Sequence, residues 1–372
     1  MITVKEALTK KEMKEFVLFS FELYKNNPYW IPPLIAEELD TFDKSKNPAL
    51  ETAEAHFYLA YKENKIVGKI AAIINWDEVN QLNKRKVRFG WFDVIDDIEV
   101  TKALLDKVEA LGKKHAMDHL EGPMGFSNLD KVGVLSEGFD QIGNMVTWYS
   151  LPYYISHLEE LGLTVEKEYH ESVFSFNDID PTQFKKFSVL IKERYQLKAL
   201  NFSKTKDIMP YVDQMFDLFN TSYSKLQSFV PINEIQKAYF KKKYIGFINP
   251  EFIKFVLDKD NKMVAFAIVM PGFAQALKKA NGRLFPFGFF HLLQARKYSK
   301  EVVFYLIGIA PEYQSKGVTA ILFEELHNVC KAKKIETCIR TPELKENFAI
   351  QNLWKNFNSK INKRRRTYRK DL

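Results

Sequence analysis

The chain has 372 residues, of which 46% are hydrophobic and 27% charged, which excludes a disordered chain and predicts a folded protein of two ordinary domains. The formal net charge is +8. Residues 360–372 hold seven basic residues and one acid, so the rest of the chain is nearly neutral and a nucleic-acid partner is not expected. Cys330 and Cys338 are the two cysteines. They form no disulfide framework and no zinc pattern, so we expect no metal and a reducing, cytoplasmic location. No signal peptide and no apolar run long enough to span a bilayer is recognisable.

The first half of the sequence predicts a mixed order of helices and strands. Apolar residues alternate in the strand-like stretches and recur at helical spacing between them, and Glu63-Asn64-Lys65 reads as the turn of a hairpin. The predicted elements are a strand at 2–7, a helix at 11–23, a hairpin around 63–65, a strand at 86–94, a helix at 98–116 and a strand at 119–122.

The second half repeats this order of elements. Two helices precede a hairpin around Asp260-Asn261, and a strand, a helix and a strand follow. We therefore predict a tandem duplication, with one domain at 1–178 and the other at 179–372. The expected fold class is α/β (α+β), in which each domain has a mixed, mostly antiparallel twisted sheet flanked by helices.

One insertion interrupts the second half. The stretch "ANGRLFPFGFFHLLQARKYSK", residues 280–300, lies between the hairpin and the next strand and is nearly all apolar at its centre. Such a segment can be core, a contact between subunits, or the wall of an acyl or lipid pocket. The sequence leaves these alternatives open.

The stretch "YLIGIAPEYQSKGVTAILFEEL" carries the strongest functional signal. It reads as a strand, a short loop with Gly317, and a helix from Val318 onward. A helix N-terminus with a glycine for close backbone approach is a common phosphate-binding arrangement. Lys316 adds a positive charge. An ordinary strand-to-helix turn is the alternative reading.

The segment Gln314-Ser315-Lys316-Gly317-Val318-Thr319 resembles the pyrophosphate-binding motif of the GNAT acyltransferase superfamily. The resemblance covers residues 190–372 and implies that this loop binds acetyl-CoA or another acyl-CoA as co-substrate. By the same resemblance, the strand that includes Ile307 and Ile309 would pair with the pantetheine amides. Thr319 departs from the small residue that the family prefers.

A second family signature follows in "ELKENFAIQNLWKNF", where Asn347 stands in register and is a candidate cofactor-binding residue. Trp354 replaces the tyrosine that often protonates the departing thiolate. Indole cannot do so. Either another residue serves, the thiolate leaves unaided, or no transfer occurs.

The corresponding turn of the first half reads "FDVIDDIEV". Asp96, Asp97 and Glu99 stand where phosphates would bind. Acids at a helix N-terminus satisfy its dipole themselves and would repel a pyrophosphate. The first domain is therefore expected to keep the fold without a CoA site.

Direct acyl transfer needs a base for the amine and a proton for the thiolate. Glu343, after the last strand of the motif region, is the candidate base. Its alternative is a solvated or capping acid. Tyr305 is the candidate acid, with a core aromatic as its alternative. His327 is expected at the surface, and the cysteines are expected to be buried apolar side chains.

These features predict an acyl-CoA-dependent N-acyltransferase, with acetyl-CoA the first expectation and a small-molecule or peptide amine as acceptor. Two alternatives remain: a non-catalytic acyl-CoA-binding protein, and an aminoacyl-tRNA-dependent transferase of the same fold. The tail "NKRRRTYRK" could bind RNA, a membrane surface or the 3′-phosphate of CoA, or be a solvated last strand anchored by Tyr368.

Overall fold

The computed structural model describes residues 1–127, 129–224, 229–245 and 248–372. The chain forms two compact units. The first comprises Met1–His170, Ala274–His291 and Asn362–Leu372, and the second comprises Glu171–Phe273 and Leu292–Ile361. The division predicted between residues 178 and 179 stays a prediction. The first unit differs from the predicted first domain because its N-terminal stretch ends at His170 and because it also includes Ala274–His291 and Asn362–Leu372.

The helices and strands are numbered in chain order. Up to the end of β7 they are β1 (Ile2–Glu6), α1 (Lys10–Leu23), α2 (Ile35–Thr41), β2 (Ala53–Lys62), β3 (Lys65–Asn75), α3 (Trp76–Leu82), β4 (Lys86–Val94), α4 (Ile98–Lys114), β5 (His119–Gly122), β6 (Val134–Glu137), α5 (Tyr153–Glu160) and β7 (Thr164–Ser175). After β7 they are α6 (Pro181–Tyr195), β8 (Lys198–Leu200), α7 (Thr205–Ile208), α8 (Val212–Tyr223), α9 (Glu234–Phe240), β9 (Ile253–Leu257), β10 (Met263–Pro271), α10 (Ala274–Ala280), α11 (Gly288–Tyr298), β11 (Glu301–Ile309), α12 (Thr319–Ala332), β12 (Thr337–Leu344), α13 (Phe348–Trp354) and β13 (Lys360–Asp371).

The first unit is built on a mixed sheet with the strand order β1-β2-β3-β4-β5-β13. Strands β1 to β4 pair antiparallel in sequence order, and β5 pairs parallel to β4. The predicted turn between β2 and β3 is confirmed. Glu63 and Asn64 both have left-handed backbone angles, as a two-residue hairpin turn requires. Helix α4 buries Val100, Leu104 and Val108 along one face, which is the side that covers the sheet.

The second unit repeats this layout. Strands β8 to β11 pair antiparallel in the order β8-β9-β10-β11, and β12 pairs parallel to β11. Helix α12 connects the two parallel strands and buries Ile321, Leu322 and Leu326. The expected mixed α/β class, with mostly antiparallel sheets flanked by helices, is confirmed.

The basic C-terminal segment is a strand of the first unit. Strand β13 pairs antiparallel with β5 and also with β6. Lys363 and Arg365 are buried, and the hydroxyl of buried Tyr368 donates to Glu159 Oε1 at 3.0 Å. The anchoring role expected of Tyr368 is confirmed. The strand is only partly solvated, because Lys363 and Arg365 are buried whereas Lys360 is exposed. No helix in the described part of the chain is both long and apolar enough to cross a bilayer.

Candidate functional site

The loop between β11 and α12 has the backbone of a tight cradle. One short 3-10 turn spans Pro311–Tyr313, and two residues beyond it adopt left-handed angles, Ser315 with φ of 62° and Gly317 with φ of 78°. Glycine alone adopts such angles without steric cost. A Cβ atom at Gly317 would also lie 3.3 Å from Ile191 Cδ1. Gly317 therefore permits a backbone conformation that would be strained with most other residues at this position.

Four backbone N–H groups in this loop form no hydrogen bond to the described part of the chain. They belong to Ser315, Gly317, Val318 and Thr319, whereas Gln314 and Lys316 donate to carbonyl oxygens at 3.1 and 3.3 Å. The N–H groups of Val318 and Thr319 are at the start of α12, where the helix dipole is positive. Unpaired N–H donors at the start of a helix are typical of anion-binding sites.

The side chains around the loop leave its open face cationic. Residues 314–317 are exposed. The Lys316 ammonium lies 5.3 Å from the ring centroid of Tyr195 and 5.1 Å from that of Tyr313, so cation–π contacts hold it at the loop. The Gln314 amide donates to Ile309 O at 3.3 Å. The Thr319 hydroxyl forms no hydrogen bond to the described residues, so it can donate to a bound anion.

Strands β11 and β12 part beside this loop. Their parallel pairing runs from Glu301 and Thr337 to Phe304 and Arg340, although β11 continues to Ile309 and β12 to Leu344. Opposite β10, the register shifts so that Tyr305 is the extra residue of a β-bulge in β11. Bulges redirect the chain and often lie next to active sites. The result is a cleft between two strand ends, with half-buried Tyr305 at its start.

Helix α8 closes over β11 at this point. The Tyr223 hydroxyl donates to Ile307 O at 3.0 Å. A Cβ atom at Gly308 would lie 2.3 Å from the Phe266 ring and 2.8 Å from Ser222 Oγ, so a larger residue would displace the helix or the ring. Burial raises the pKa of Tyr223 well above its ordinary value, partly offset by its bond to Ile307. Its phenol is therefore protonated at neutral pH.

Glu343 is held by two neighbours. Its carboxylate accepts from both Arg340 and Trp354, with the indole N–H at 3.0 Å from Oε1. The Arg340 guanidinium also lies 4.6 Å from the Trp354 ring centroid and donates to Ser359 Oγ at 2.9 Å. Both oxygens of Glu343 are thus engaged in an anchor between β12 and the end of α13. Its predicted role as base stays a prediction.

Trp354 is a core residue. It is buried and packs against Phe304, Phe323 and Phe357 at centroid distances of 4.8, 5.3 and 5.1 Å. Asn347 caps α13, because its side-chain oxygen accepts from Ile350 N at 3.3 Å. A helix-capping role accounts for that residue type at that place.

The cysteines are buried, as expected. Burial raises the pKa of the Cys330 thiol to about 12 and that of Cys338 well above its ordinary value, so neither is a nucleophile at neutral pH. They line an apolar cavity of about 20 Å³, close to the smallest that holds one water molecule and too small for an acyl chain. His327 also lines it and is only partly exposed. Among the described residues, no three His, Cys, Asp or Glu side chains cluster as metal ligands would.

The sequence reasoning missed Tyr223 and Arg340. Tyr223 ends a helix distant in sequence from β11, and only the folded chain brings its hydroxyl to Ile307. Arg340 stands three residues before Glu343, a separation that places side chains on opposite faces of a regular strand. Pro342, between them in β12, was the available signal that the strand is irregular there.

The equivalent loop of the first unit satisfies its own helix. Asp97 is the N-cap of α4, where its carboxylate accepts from Glu99 N at 3.1 Å and pairs with Lys62 Nζ at 2.9 Å. These contacts lower the pKa of Asp97, and the hydrogen bond from Lys62 has the largest effect. The carboxyl group of Asp97 is therefore ionised at neutral pH. Asp96 lies 3.2 Å from His157 Nε2. The Glu99 N–H at this helix start is thus occupied by the chain's own Asp97.

Comparisons with known proteins give the chain relatives over its whole length. Protein YghO of Escherichia coli (strain K12) is 27% identical over 382 aligned residues, covering 99% of this chain and 95% of that protein. The bacterial ceramide synthase of Caulobacter vibrioides (strain NA1000 / CB15N) is 23% identical over 316 aligned residues, covering 82% and 80%. No family model matches the sequence.

Among solved structures, a tandem GNAT protein from the clavulanic acid biosynthesis pathway superposes with a TM-score of 0.58 at 10% identity and covers 100% of this chain and 98% of its own. A GCN5-related N-acetyltransferase from Sphaerobacter thermophilus superposes with a TM-score of 0.55 at 8% identity, covering 100% and 95%. These likenesses in structure fit two tandem domains. The chain has a GNAT-like fold.

Proposed function

We propose that this chain is an acyl-CoA-dependent N-acyltransferase. The observation that carries the proposal is a row of four N–H groups, those of Ser315, Gly317, Val318 and Thr319, which form no hydrogen bond to the described part of the chain and lie beside the ends of β11 and β12. On a GNAT-like fold, that row suits the pyrophosphate of CoA, and Lys316 adds a positive charge next to it. Gln314, Ser315, Lys316, Gly317, Val318 and Thr319 would form the cradle.

The reaction follows from where the thioester would lie. With the pyrophosphate in the cradle, the pantetheine would run along β11 past Ile309 and Ile307 and place the thioester in the cleft. The acceptor amine would attack the thioester carbonyl carbon, the C–S bond would break, and an amide and free CoA would form. The amine loses a proton and the departing thiolate gains one, so the protein needs only to orient the reactants and bind the oxyanion with a backbone N–H.

Two phenols are candidates for the proton donor. Tyr305 stays our candidate acid because it forms the bulge at the start of the cleft. Tyr223 is a second candidate, since its protonated hydroxyl reaches β11 at Ile307. Glu343 remains the candidate base for the amine, directly or through water, although its bonds to Arg340 and Trp354 would have to be shared. Asn347 would act indirectly by fixing the start of α13.

The ceramide synthase relative bears on the substrates. Ceramide is an amide between a fatty acid and a long-chain amino alcohol, so its name implies amide formation on an amine. We propose the same reaction class for this chain, with a fatty acyl-CoA as donor and the primary amine of an apolar molecule as acceptor. The sequence alone favoured acetyl-CoA, and a donor panel from acetyl to palmitoyl distinguishes the two.

The two alternatives make different predictions. A non-catalytic acyl-CoA-binding protein would bind the donor and release no thiol with any amine. An aminoacyl-tRNA-dependent transferase would need a basic surface for RNA, but the C-terminal basic residues form β13, with Arg364 paired to Glu137 at 3.0 Å and Lys370 to Glu109 at 2.7 Å. That pairing favours the acyl-CoA reading.

Calorimetric titration with acetyl-CoA and palmitoyl-CoA tests the proposal. We expect saturable binding by the natural chain and at least a tenfold loss for Gly317→Val, because the side chain strains the cradle and blocks close approach of phosphate. Gly162→Val is the matched control. Gly162 also has a positive φ, of 81°, with no atom within 4 Å of a Cβ, so it carries similar backbone strain outside the cradle.

Thiol release with long-chain amino alcohols and with small amines then separates catalysis from binding. The proposed phosphate cradle would be overturned if neither acyl-CoA binds the natural chain. It would also be overturned if Gly317→Val and Gly162→Val lose the same fraction of binding affinity. Binding without thiol release across the amine panel would leave an acyl-CoA-binding protein.

A further inference from the structure

The segment from Ala274 to Lys300 has an unusual charge pattern. Its 27 residues contain no Asp or Glu and six basic residues, which are Lys278, Lys279, Arg283, Arg296, Lys297 and Lys300. A stretch of one sign that is also rich in aromatics is typical of surfaces that bind anionic partners.

Three phenylalanines are exposed at the centre of this segment. Phe285, Phe287 and Phe290 are 76, 68 and 57% exposed, and we call them the aromatic tip. Leu293, one turn further along α11, is exposed as well. Singly exposed apolar side chains are ordinary, whereas clustered ones mark interaction sites. The aromatic tip therefore needs a partner that is apolar where it makes contact.

The aromatic tip is held in place by its surroundings. Phe289 N donates to Leu284 O at 2.8 Å and Phe290 N to Phe287 O at 3.1 Å, while the Phe289 and Phe290 ring centroids lie 3.9 Å apart with their planes tilted by 33°. These three contacts fix the turn at the start of α11. Large side chains displayed on a fixed backbone lose little entropy when they enter a partner.

The base of the segment is attached to the first unit. Ile35 N donates to Gly282 O at 2.9 Å, and Lys278 Nζ donates to Pro28 O. A Cβ atom at Gly282 would lie 2.6 Å from the Phe21 ring, which shows how closely the turn packs there. The residues just before the aromatic tip are thus anchored within the first unit.

The cations beside the aromatic tip are available to a partner. Lys279 and Arg283 are exposed and form no ion pair with the described part of the chain. This arrangement disfavours a second copy as the occupant, since two such surfaces would place like charges opposite each other. An anionic bilayer satisfies both features, because its phosphates attract Lys and Arg while its headgroup–acyl boundary accepts aromatic rings.

We propose that the aromatic tip docks this protein on anionic membranes. Phe285, Phe287 and Phe290 insert at the headgroup–acyl boundary, while Lys279 and Arg283 bind lipid phosphates. The docking goes beyond the proposed acyl transfer, and it is measured as binding alone, so either can fail without the other. If both hold, docking brings the protein to the apolar acceptor it would modify.

Flotation of the full chain with vesicles tests the docking. One set of vesicles contains phosphatidylcholine alone and the other about 30% phosphatidylglycerol, a typical anionic fraction. We expect binding to the anionic set, weakened by high salt, and at least a tenfold loss when Phe285, Phe287 and Phe290 are all replaced by Ser. Lys279→Glu with Arg283→Glu should also abolish the preference for anionic vesicles.

The matched control replaces exposed aromatics elsewhere. Phe187 and Phe348 are 53 and 69% exposed, and replacing both by Ser should leave flotation unchanged. Thermal unfolding and acyl-CoA titration of every variant confirm that the fold is kept. Equal flotation of the triple Ser variant, no flotation of the natural chain, or a dimer that the triple Ser variant dissociates would each overturn the docking.

Discussion

Replacing Glu343 by Gln separates a structural anchor from a catalytic base. The side chains of Arg340 and Glu343 are only 9 and 17% exposed, so the pair is close to buried. Removing one partner of a buried ion pair costs about 3–5 kcal/mol. The Gln oxygen still accepts one hydrogen bond, from Arg340 or from the Trp354 indole, which returns about 1 kcal/mol. We therefore expect Glu343→Gln to lower the free energy of unfolding of the second unit by about 2–4 kcal/mol.

Hydrogen exchange of peptides from β12 and α13 measures this loss in the second unit alone, since a global unfolding curve would mix the two units. Glu346→Gln is the control. Glu346 is an exposed acid of the same segment, and its replacement should change the exchange free energy by less than about 0.5 kcal/mol.

A double-mutant cycle completes the test. Arg340→Met with Glu343→Leu removes both charges, so the double variant should lose less than the sum of the two single losses. If Glu343→Gln abolishes acyl transfer while the exchange free energy stays within about 0.5 kcal/mol of the natural chain, the anchor reasoning is wrong and Glu343 acts as the base.

Two further predictions concern buried groups of the second unit. Burial lowers the pKa of Lys254 to about 8 in the folded protein, whereas the ordinary lysine pKa is about 10.4. Between these two pH values the unfolded state keeps a proton on Lys254 that the folded state has lost. The free energy of unfolding therefore rises with pH in that window. Lys254→Met should therefore be more stable at pH 7 by about 1–3 kcal/mol, with the advantage shrinking by pH 10 in urea unfolding; an advantage that does not depend on pH would contradict it. Tyr223→Phe removes the bond to Ile307 O and should cost about 1 kcal/mol in the same assay. If Tyr223 is also the proton donor, thiol release should fall while acyl-CoA binding holds.

The parts of the fold that local chemistry determines were predictable. Residues 86–94 form β4 as expected, because Val87, Phe89 and Trp91 alternate with other residue types over the first part of the strand, and the whole strand is buried. The left-handed angle of Asn261 in the second hairpin likewise follows from its residue type. The predicted helix containing Pro210 is interrupted there, with α7 before it and α8 after it, since proline breaks the hydrogen-bond ladder.

The candidate site was predictable only in its backbone. The glycine and the helix start at Gly317 are sequence-local, so the cradle could be read from the residues. Trp354 could not be assigned to the core, because the partners that surround it, Phe304 and Phe323, come from other elements. For the same reason the pairing of Arg340 with Glu343, and the burial of Arg365 in a sheet, needed the folded chain. Contacts across the sequence, not local propensity, decide such side chains.

The two loops that precede α4 and α12 show how one fold can gain or lose an anion site. Both connect parallel strands through a helix, and both present N–H groups at the helix start. In the first unit Asp97 fills that position with a carboxylate and a salt bridge to Lys62. In the second unit, the N–H groups of Ser315, Gly317, Val318 and Thr319 stay unbonded within the described chain. A second anion cannot compete with a tethered carboxylate, because repulsion adds to the loss of its hydrogen bonds. We therefore propose that phosphate binding is confined to the second unit, and that the first keeps the fold without a CoA site.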